Sequence, residues 1–263
     1  METILNRIIE EKRKEVIRLK ECSQILQNLE TDKRSLIQKL QNAKDIAIIA
    51  EFKRASPSKG IINNQLEPVE QAIVYEKNGA SAISVLTDQS FFQGSFSDLR
   101  AVRQAVTVPV LCKDFIIDPI QIDCAASSGA DLILLIAAVL EEDELLMLYQ
   151  YAKSKGLEVL IEVHDYKELE KVGKTGAKLV GVNNRDLTSF HVSLDVTEKL
   201  AEAVKSTGAF LISESGIHLQ KDVERVKKAG ADGILVGEAL MKSSDLSRTM
   251  QNFRLAQTTE GKL

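Results

Sequence analysis

Two lysines and three glutamates stand where short apolar runs of this sequence end. Glu51 closes IAIIAE (46–51) with Lys53 two residues on, Lys113 closes VPVLCK (108–113), and Glu162 closes LEVLIE (157–162). Asn183 ends KLVGVN (178–183), and Glu214, followed by Ser215, ends AFLISE (209–214). Any one of these alone reads as a charge on a solvated loop. Taken as a set they read as one cluster, in which a lysine is held protonated as an acid and a glutamate ionised as a base, each tuned by its neighbours. That equipment suits metal-free proton-transfer chemistry.

A second signal follows the last two runs: Ser215-Gly216-Ile217 and Gly237-Glu238-Ala239. Glycine there lets backbone N–H groups approach the oxygens of a phosphate, and a helix N-terminus adds favourable polarity. A carboxylate repels phosphate, so Glu238 is expected to offer its backbone N–H alone. After the first run, residues 54–66 make a long connection containing Ser56-Pro57-Ser58-Lys59-Gly60, suited to closing over a ligand. After the second, Phe91, Phe92 and Gly94 offer rings that either line a pocket for a flat substrate or simply pack.

The elements that must position these residues are eight apolar runs, 46–51, 82–87, 108–113, 131–136, 157–162, 178–183, 209–214 and 233–237. They are continuous rather than alternating, as strands buried on both faces are. Segments of helical periodicity lie between them, among them 68–78, 119–128, 141–154 and 219–229. Gly-Ala pairs at 79, 129, 176, 208 and 230 recur just before strands, where glycine can stop a helix in the left-handed conformation. Eight βα units close into a (β/α)8 TIM barrel, whose chemistry sits at the C-terminal ends of its strands. A doubly wound sheet would usually carry a GxGxxG turn after the first strand, which Glu51-Phe52-Lys53-Arg54 does not supply. The expected organisation is a single domain, a helical extension over 1–45 and a barrel over 46–263. Ile4, Leu5, Ile8, Ile9, Val16 and Leu19 oppose a charged face in that extension, which suits a lid, a partner helix or a packing element.

Composition narrows the partners. A 263-residue chain that is 44% hydrophobic can bury a sizeable core, and a net charge of −4 argues against nucleic acid. The longest apolar stretch, 132–140, is too short to span a membrane, and Glu2, Arg7, Glu10 and Glu11 stand where a secretory signal would need an apolar core. A cytoplasmic protein, monomeric or weakly dimeric, is expected. Cys22, Cys112 and Cys124 form neither a disulfide framework nor a zinc site and read as packing residues. His164, His191 and His218 lack metal-ligand spacing, although His164 lies two residues from Glu162.

The segments EFKRASPSKG (51–60), SVLTDQSFFQGS (84–95), LCKDFIID (111–118), LIEVHD (160–165), GVNNRDL (181–187), ISESGI (212–217) and LVGEALM (235–241) resemble, in order and over nearly the whole chain, the signatures of the indole-3-glycerol-phosphate synthase family. The resemblance implies ring closure, decarboxylation and dehydration of 1-(2-carboxyphenylamino)-1-deoxyribulose 5-phosphate, without a cofactor. It implies Lys113 as general acid, Glu162 as general base or dehydrating partner, and Glu51 and Asn183 in support. Lys53 would meet the substrate carboxylate, Ser56, Arg185, Glu214 and Ser215 would lie near substrate, Phe92 against its ring, and Gly216, Gly237 and Glu238 around its phosphate. Gln93 stands where the family pattern carries a small residue. The alternatives are another phosphate-binding barrel, such as a phosphoribosylanthranilate isomerase, for which a Cys and Asp pair would be expected at strand ends, and a non-catalytic metabolite-binding barrel.

Overall fold

Every barrel strand is apolar on both sides because one face packs on helices and the other fills the barrel. The computed structural model describes residues 3–22, 32–57, 59–63 and 66–254. Its strands are β1 (Ala47–Phe52), β2 (Ala82–Leu86), β3 (Val110–Lys113), β4 (Leu132–Ile136), β5 (Glu158–Val163), β6 (Leu179–Asn183), β7 (Phe210–Glu214) and β8 (Gly233–Val236). All pair in parallel with their sequence neighbours, and β1 closes the sheet on β8 through Ala47↔Gly233 to Ala50↔Val236. Eight helices, 68–77, 96–105, 119–127, 142–154, 166–173, 195–206, 220–229 and 246–253, complete the (β/α)8 barrel. The Gly-Ala pairs stop helices as expected: Gly230, with φ 111°, holds the left-handed turn that β-carbon-bearing residues resist.

The two-residue period of a strand explains where the chemistry points. In β1, Ile48 and Ala50 join the outer core under the helices, while Ala47 and Ile49 join the inner one. Glu51 continues the inner row at the mouth. The same parity carries Leu111 to Lys113, Leu160 to Glu162, Leu179 to Asn183 and Ile212 to Glu214. Each polar residue is thus the last step of an inward-facing apolar row.

The extension is two helices rather than one: Ile4–Cys22 and the short Leu36–Gln41, with residues 23–31 and the Cys22 side chain outside the described residues. Leu36 and Leu40 plug the end of the barrel opposite the mouth, and Glu158 of β5 accepts from Leu36 N (2.9 Å) and Ile37 N (3.2 Å), satisfying free donors of the first turn. The first helix buries Ile8 and Val16 against the barrel. No helix among the described residues is long and apolar enough to cross a membrane.

Candidate active site

Lys113 leaves the end of β3 into a ring of carboxylates. Its Nζ lies 2.6 Å from Glu214 Oε2, 3.6 Å from Glu162 Oε2 and 3.9 Å from Glu51 Oε2. Burial works against the ammonium, but Glu214, Glu162 and Glu51 outweigh it, so the lysine is held protonated well above its ordinary range. All three glutamates belong to the strand-end cluster expected from sequence, and the nearest to Lys113 is Glu214, because β7 brings its inward row directly opposite β3.

Each carboxylate has its own surroundings. Glu51 accepts from Lys53 Nζ at 2.6 Å; burial disfavours its ionised form, but Lys53 and Lys113 hold its carboxyl below the usual range. Glu162 is also buried, and there Lys113, His164 and the Asn183 Nδ2 donor at 3.0 Å keep it ionised. Asn183 is fixed in turn by Arg185 N on its Oδ1 (3.0 Å), so the loop after β6 aims its amide at Glu162. Glu214 goes the other way: burial and Glu162 push it up to about 7 despite Lys113. Its Oε1 fills the space beside Gly181, where a β-carbon would lie 2.1 Å away.

The loop after β7 is anchored by a buried residue that carries no charge. Asn184 donates to Ser213 Oγ (3.0 Å), Glu214 O (2.9 Å) and Ser215 O (3.1 Å), and Thr197 donates back to its Oδ1. Ser215 (φ 64°) and Gly216 (φ 80°) then turn left-handed in succession, with Gly216 pressed on Val192. Gly237 after β8 is pressed on Glu51, and the Glu238 side chain turns to Lys242 (2.8 Å) and, across the mouth, to Lys59 (3.8 Å). Gln93 takes a left-handed φ of 56°, which accounts for the small residue expected there.

Glu51, Lys53, Ser56, Phe92, Lys113, Glu162, Asn183, Arg185, Glu214, Ser215, Gly216, Gly237 and Glu238 all line one pocket at the C-terminal mouth. The first connection forms a small hairpin, Ala55–Ser56 with Gly60–Ile61, over its edge, and Ile4, Leu5 and Ile8 of the first helix cover one side. Sequence reasoning missed Phe115, 6.0 Å from the Phe92 ring, although it sits inside the CKDF segment. It also missed Leu134 and Ile136, which the parity of β4 turns inward.

Lys12 went unremarked as well. It is 1% exposed and meets Asp114 (2.7 Å), Asp88 (3.0 Å) and Glu15 (2.9 Å). Burial opposes its charge, and the carboxylates restore it. Asp88 caps the turn that carries Phe91 and Phe92, and Asp114 stands between Lys113 and Phe115. One ammonium therefore ties the first helix to both sides of the aromatic wall. The cue was a lysine on the apolar stripe, one turn after Ile8 and before Val16.

A closed (β/α)8 barrel with acids and bases gathered at its C-terminal mouth defines a barrel enzyme. Residues 5–253 match the family described as indole-3-glycerol phosphate synthase. The chain is 49% identical over 257 residues to the indole-3-glycerol phosphate synthase of Bacillus cereus (strain B4264), covering 97% of this chain and 99% of the relative. It is 48% identical over 256 residues to that of Bacillus mycoides (strain KBAB4), with the same coverage. Among solved structures, thiamine phosphate pyrophosphorylase from Pyrococcus furiosus superposes with a TM-score of 0.60 at 21% identity, over 83% of this chain and 96% of the other, a likeness of fold alone. The chain belongs to the indole-3-glycerol phosphate synthase family, carboxy-lyases of tryptophan biosynthesis.

Proposed function

We propose that this pocket turns 1-(2-carboxyphenylamino)-1-deoxyribulose 5-phosphate into indole-3-glycerol phosphate, with Lys113 as the acid of ring closure and Glu162 as the base. The observation that carries the reading is the Lys113 ammonium, held charged in a half-apolar pocket by three glutamates from three different strands. Closing the ring needs a proton on the ketone oxygen as the aromatic carbon attacks, and Lys113 supplies it. Loss of carbon dioxide then restores aromaticity. Expelling the hydroxyl as water needs an acid again, and the indole double bond forms when a base takes a proton from the ring carbon beside the nitrogen, which the ionised Glu162 provides. One proton is taken up in the net reaction.

The remaining roles follow from position. Lys53 meets the substrate carboxylate and Glu51 holds that lysine in place. Phe92, facing Phe115, takes the aromatic ring, and Ser56 and Arg185 flank the chain of the substrate. Asn183 steadies Glu162, and Glu214 steadies Lys113. Ser215, Gly216, Gly237 and the backbone of Glu238 take the phosphate, and the side chain of Glu238 is kept away by Lys242 and Lys59. The first helix acts as a lid over the ring-binding side.

We place the reaction in the cytoplasm, in a single barrel domain that works as a monomer or weak homodimer, which cell fractionation and gel filtration check. Adding synthetic substrate to the purified chain tests the function itself. Indole absorbance and fluorescence are expected to grow in with carbon dioxide release, and a protein that binds the substrate without producing either would refute the reading.

A further inference from the structure

Glu162 and Glu214 present a problem that the lysine between them does not solve. Both are buried inward-facing carboxyls, and both face Lys113. Two such groups do not both ionise freely: one proton is shared, and its surroundings decide which carboxyl keeps it. Lys113 alone would send it the wrong way for a base at Glu162, because its ammonium is 2.6 Å from Glu214 and 3.6 Å from Glu162. Something else must favour the ionised form of Glu162.

His164 lies beside Glu162 and is not one of the residues that line the pocket. Its Nδ1 meets Glu168 Oε2 at 3.0 Å, and the same oxygen accepts from the His164 backbone N at 2.7 Å, so the ring is held from behind. Its Nε2 is buried without a hydrogen-bond partner among the described residues and lies 3.4 Å from Glu162 Oε1. Glu214 has nothing comparable: its Oε1 receives no donor among the described residues and faces the bare backbone of Gly181.

We propose that His164 is a positioning residue for the reaction: gripped by Glu168 through one nitrogen and set 3.4 Å from Glu162 by the other, it makes Glu162 the ionised member of the pair and leaves the shared proton on Glu214. Lys113 meets the other oxygen of Glu162, and the groups that favour a charge on the His164 ring are acidic. They are Glu162 from β5, Glu168 from the helix 166–173, Glu214 from β7 and Asp186 from the loop after β6. Burial works against the imidazolium, and the carboxylates outweigh it, so the ring stays charged above the usual histidine range. Its charge and the Asn183 amide converge on Glu162 Oε1, which offsets the closer approach of Lys113 to Glu214.

The inference rests on Glu162 serving as the base, so the test separates the two. In the full-length protein labelled with 13C at glutamate side-chain carboxyls, and with Glu162→Gln and Glu214→Gln used for assignment, His164→Gln is expected to raise the Glu162 titration by about one pH unit. The Glu214 titration is expected to fall, so that the two midpoints approach each other. Glu168→Gln should produce the same convergence to a smaller extent, and it carries the test if His164→Gln does not fold. Midpoints that stay put, or that move in the same direction, overturn the proposal. The acid limb of the kcat/KM profile should move to higher pH in step with Glu162. Should Glu162→Gln keep wild-type turnover, the base assignment fails independently of where the proton rests.

Discussion

Lys113 Nζ is 1.0 Å closer to Glu214 Oε2 than to Glu162 Oε2, at 2.6 Å against 3.6 Å, so the ammonium is anchored on one carboxyl group and leans toward another. An acid held this way keeps its proton until a substrate oxygen arrives, and it does so without being locked to the base. Lys113→Met is expected to lower turnover by roughly 10² to 10⁴ with substrate affinity within about tenfold. Lys53→Met is expected to act mainly on affinity. Single-turnover rates and equilibrium binding distinguish them, and an exchange of the two phenotypes would reverse the assignment of acid and carboxylate-binding roles.

Lys12 makes the lid testable without deleting it. Replacing it by Met leaves Asp88 and Asp114 buried without their cation, a loss on the order of 3–5 kcal/mol when one partner of a buried pair is removed. The strain falls on the first helix and on the turns carrying Phe92 and Phe115, while the barrel strands are untouched. Lys12→Met is therefore expected to raise KM at least tenfold, to lower kcat less, and to preserve the barrel by circular dichroism. Lys12→Arg, which keeps the charge, should recover part of the loss. Unchanged KM in Lys12→Met would mean the first helix merely packs.

The barrel and its mouth were legible in the sequence because apolar runs and glycine stops recur with a strand–helix period, and each run ends in the residue that reaches the pocket. Inward or outward direction was not legible. With Ile48 and Ile49 equally apolar, nothing in the alternation separates the face under the helices from the face inside the barrel until closure fixes parity. Distances between strands were hidden for the same reason: the order of runs cannot tell that Glu214 comes nearer Lys113 than Glu51 or Glu162 does. Lys12 escaped because a lysine within an apolar stripe looks like a surface charge until its acidic partners, 76 and 102 residues away in sequence, are folded around it. His164 was noticed only for standing two residues from Glu162, since its role depends on Glu168 holding it from behind.

Glu214 gives the stability of the protein a pH signature. Its carboxyl is raised to about 7 in the folded chain, from about 4.5 when unperturbed. The folded state therefore binds the proton more tightly, and the stability this contributes is fully present below pH about 4.5 and is lost as pH rises through about 7. Glu214→Gln mimics the protonated side chain at every pH. Relative to wild type, the variant is expected to gain stability between pH 5 and about pH 7 and to level off above it, read as the difference in urea midpoints. A difference that is flat across that window would show that the raised affinity for the proton is absent.

The two glycines of the phosphate loops are expected to fail differently, because different atoms crowd them. A β-carbon on Gly237 would lie 2.6 Å from Glu51 Oε1 and 3.2 Å from Glu51 Cβ, and Glu51 in turn holds Lys53 at 2.6 Å. Gly237→Ala thus displaces a carboxylate inside the acid–base cluster as well as narrowing the phosphate loop. A β-carbon on Gly216 would lie 2.7 Å from Val192 Cγ1, away from the charged groups, and its φ of 80° adds about 1–2 kcal/mol of left-handed strain for a side-chain-bearing residue. Gly216→Ala should therefore raise KM and weaken competition by inorganic phosphate while kcat stays within about threefold, a loss of binding energy shared by ground and transition states. Gly237→Ala should raise KM and also lower kcat by tenfold or more, because the displaced Glu51 is one of the three glutamates around Lys113. Phosphate inhibition constants measured for both variants decide the matter: if neither changes, the phosphate does not bind between these loops, and if kcat falls equally in both, the contact between Gly237 and Glu51 is not what couples the loop to the chemistry.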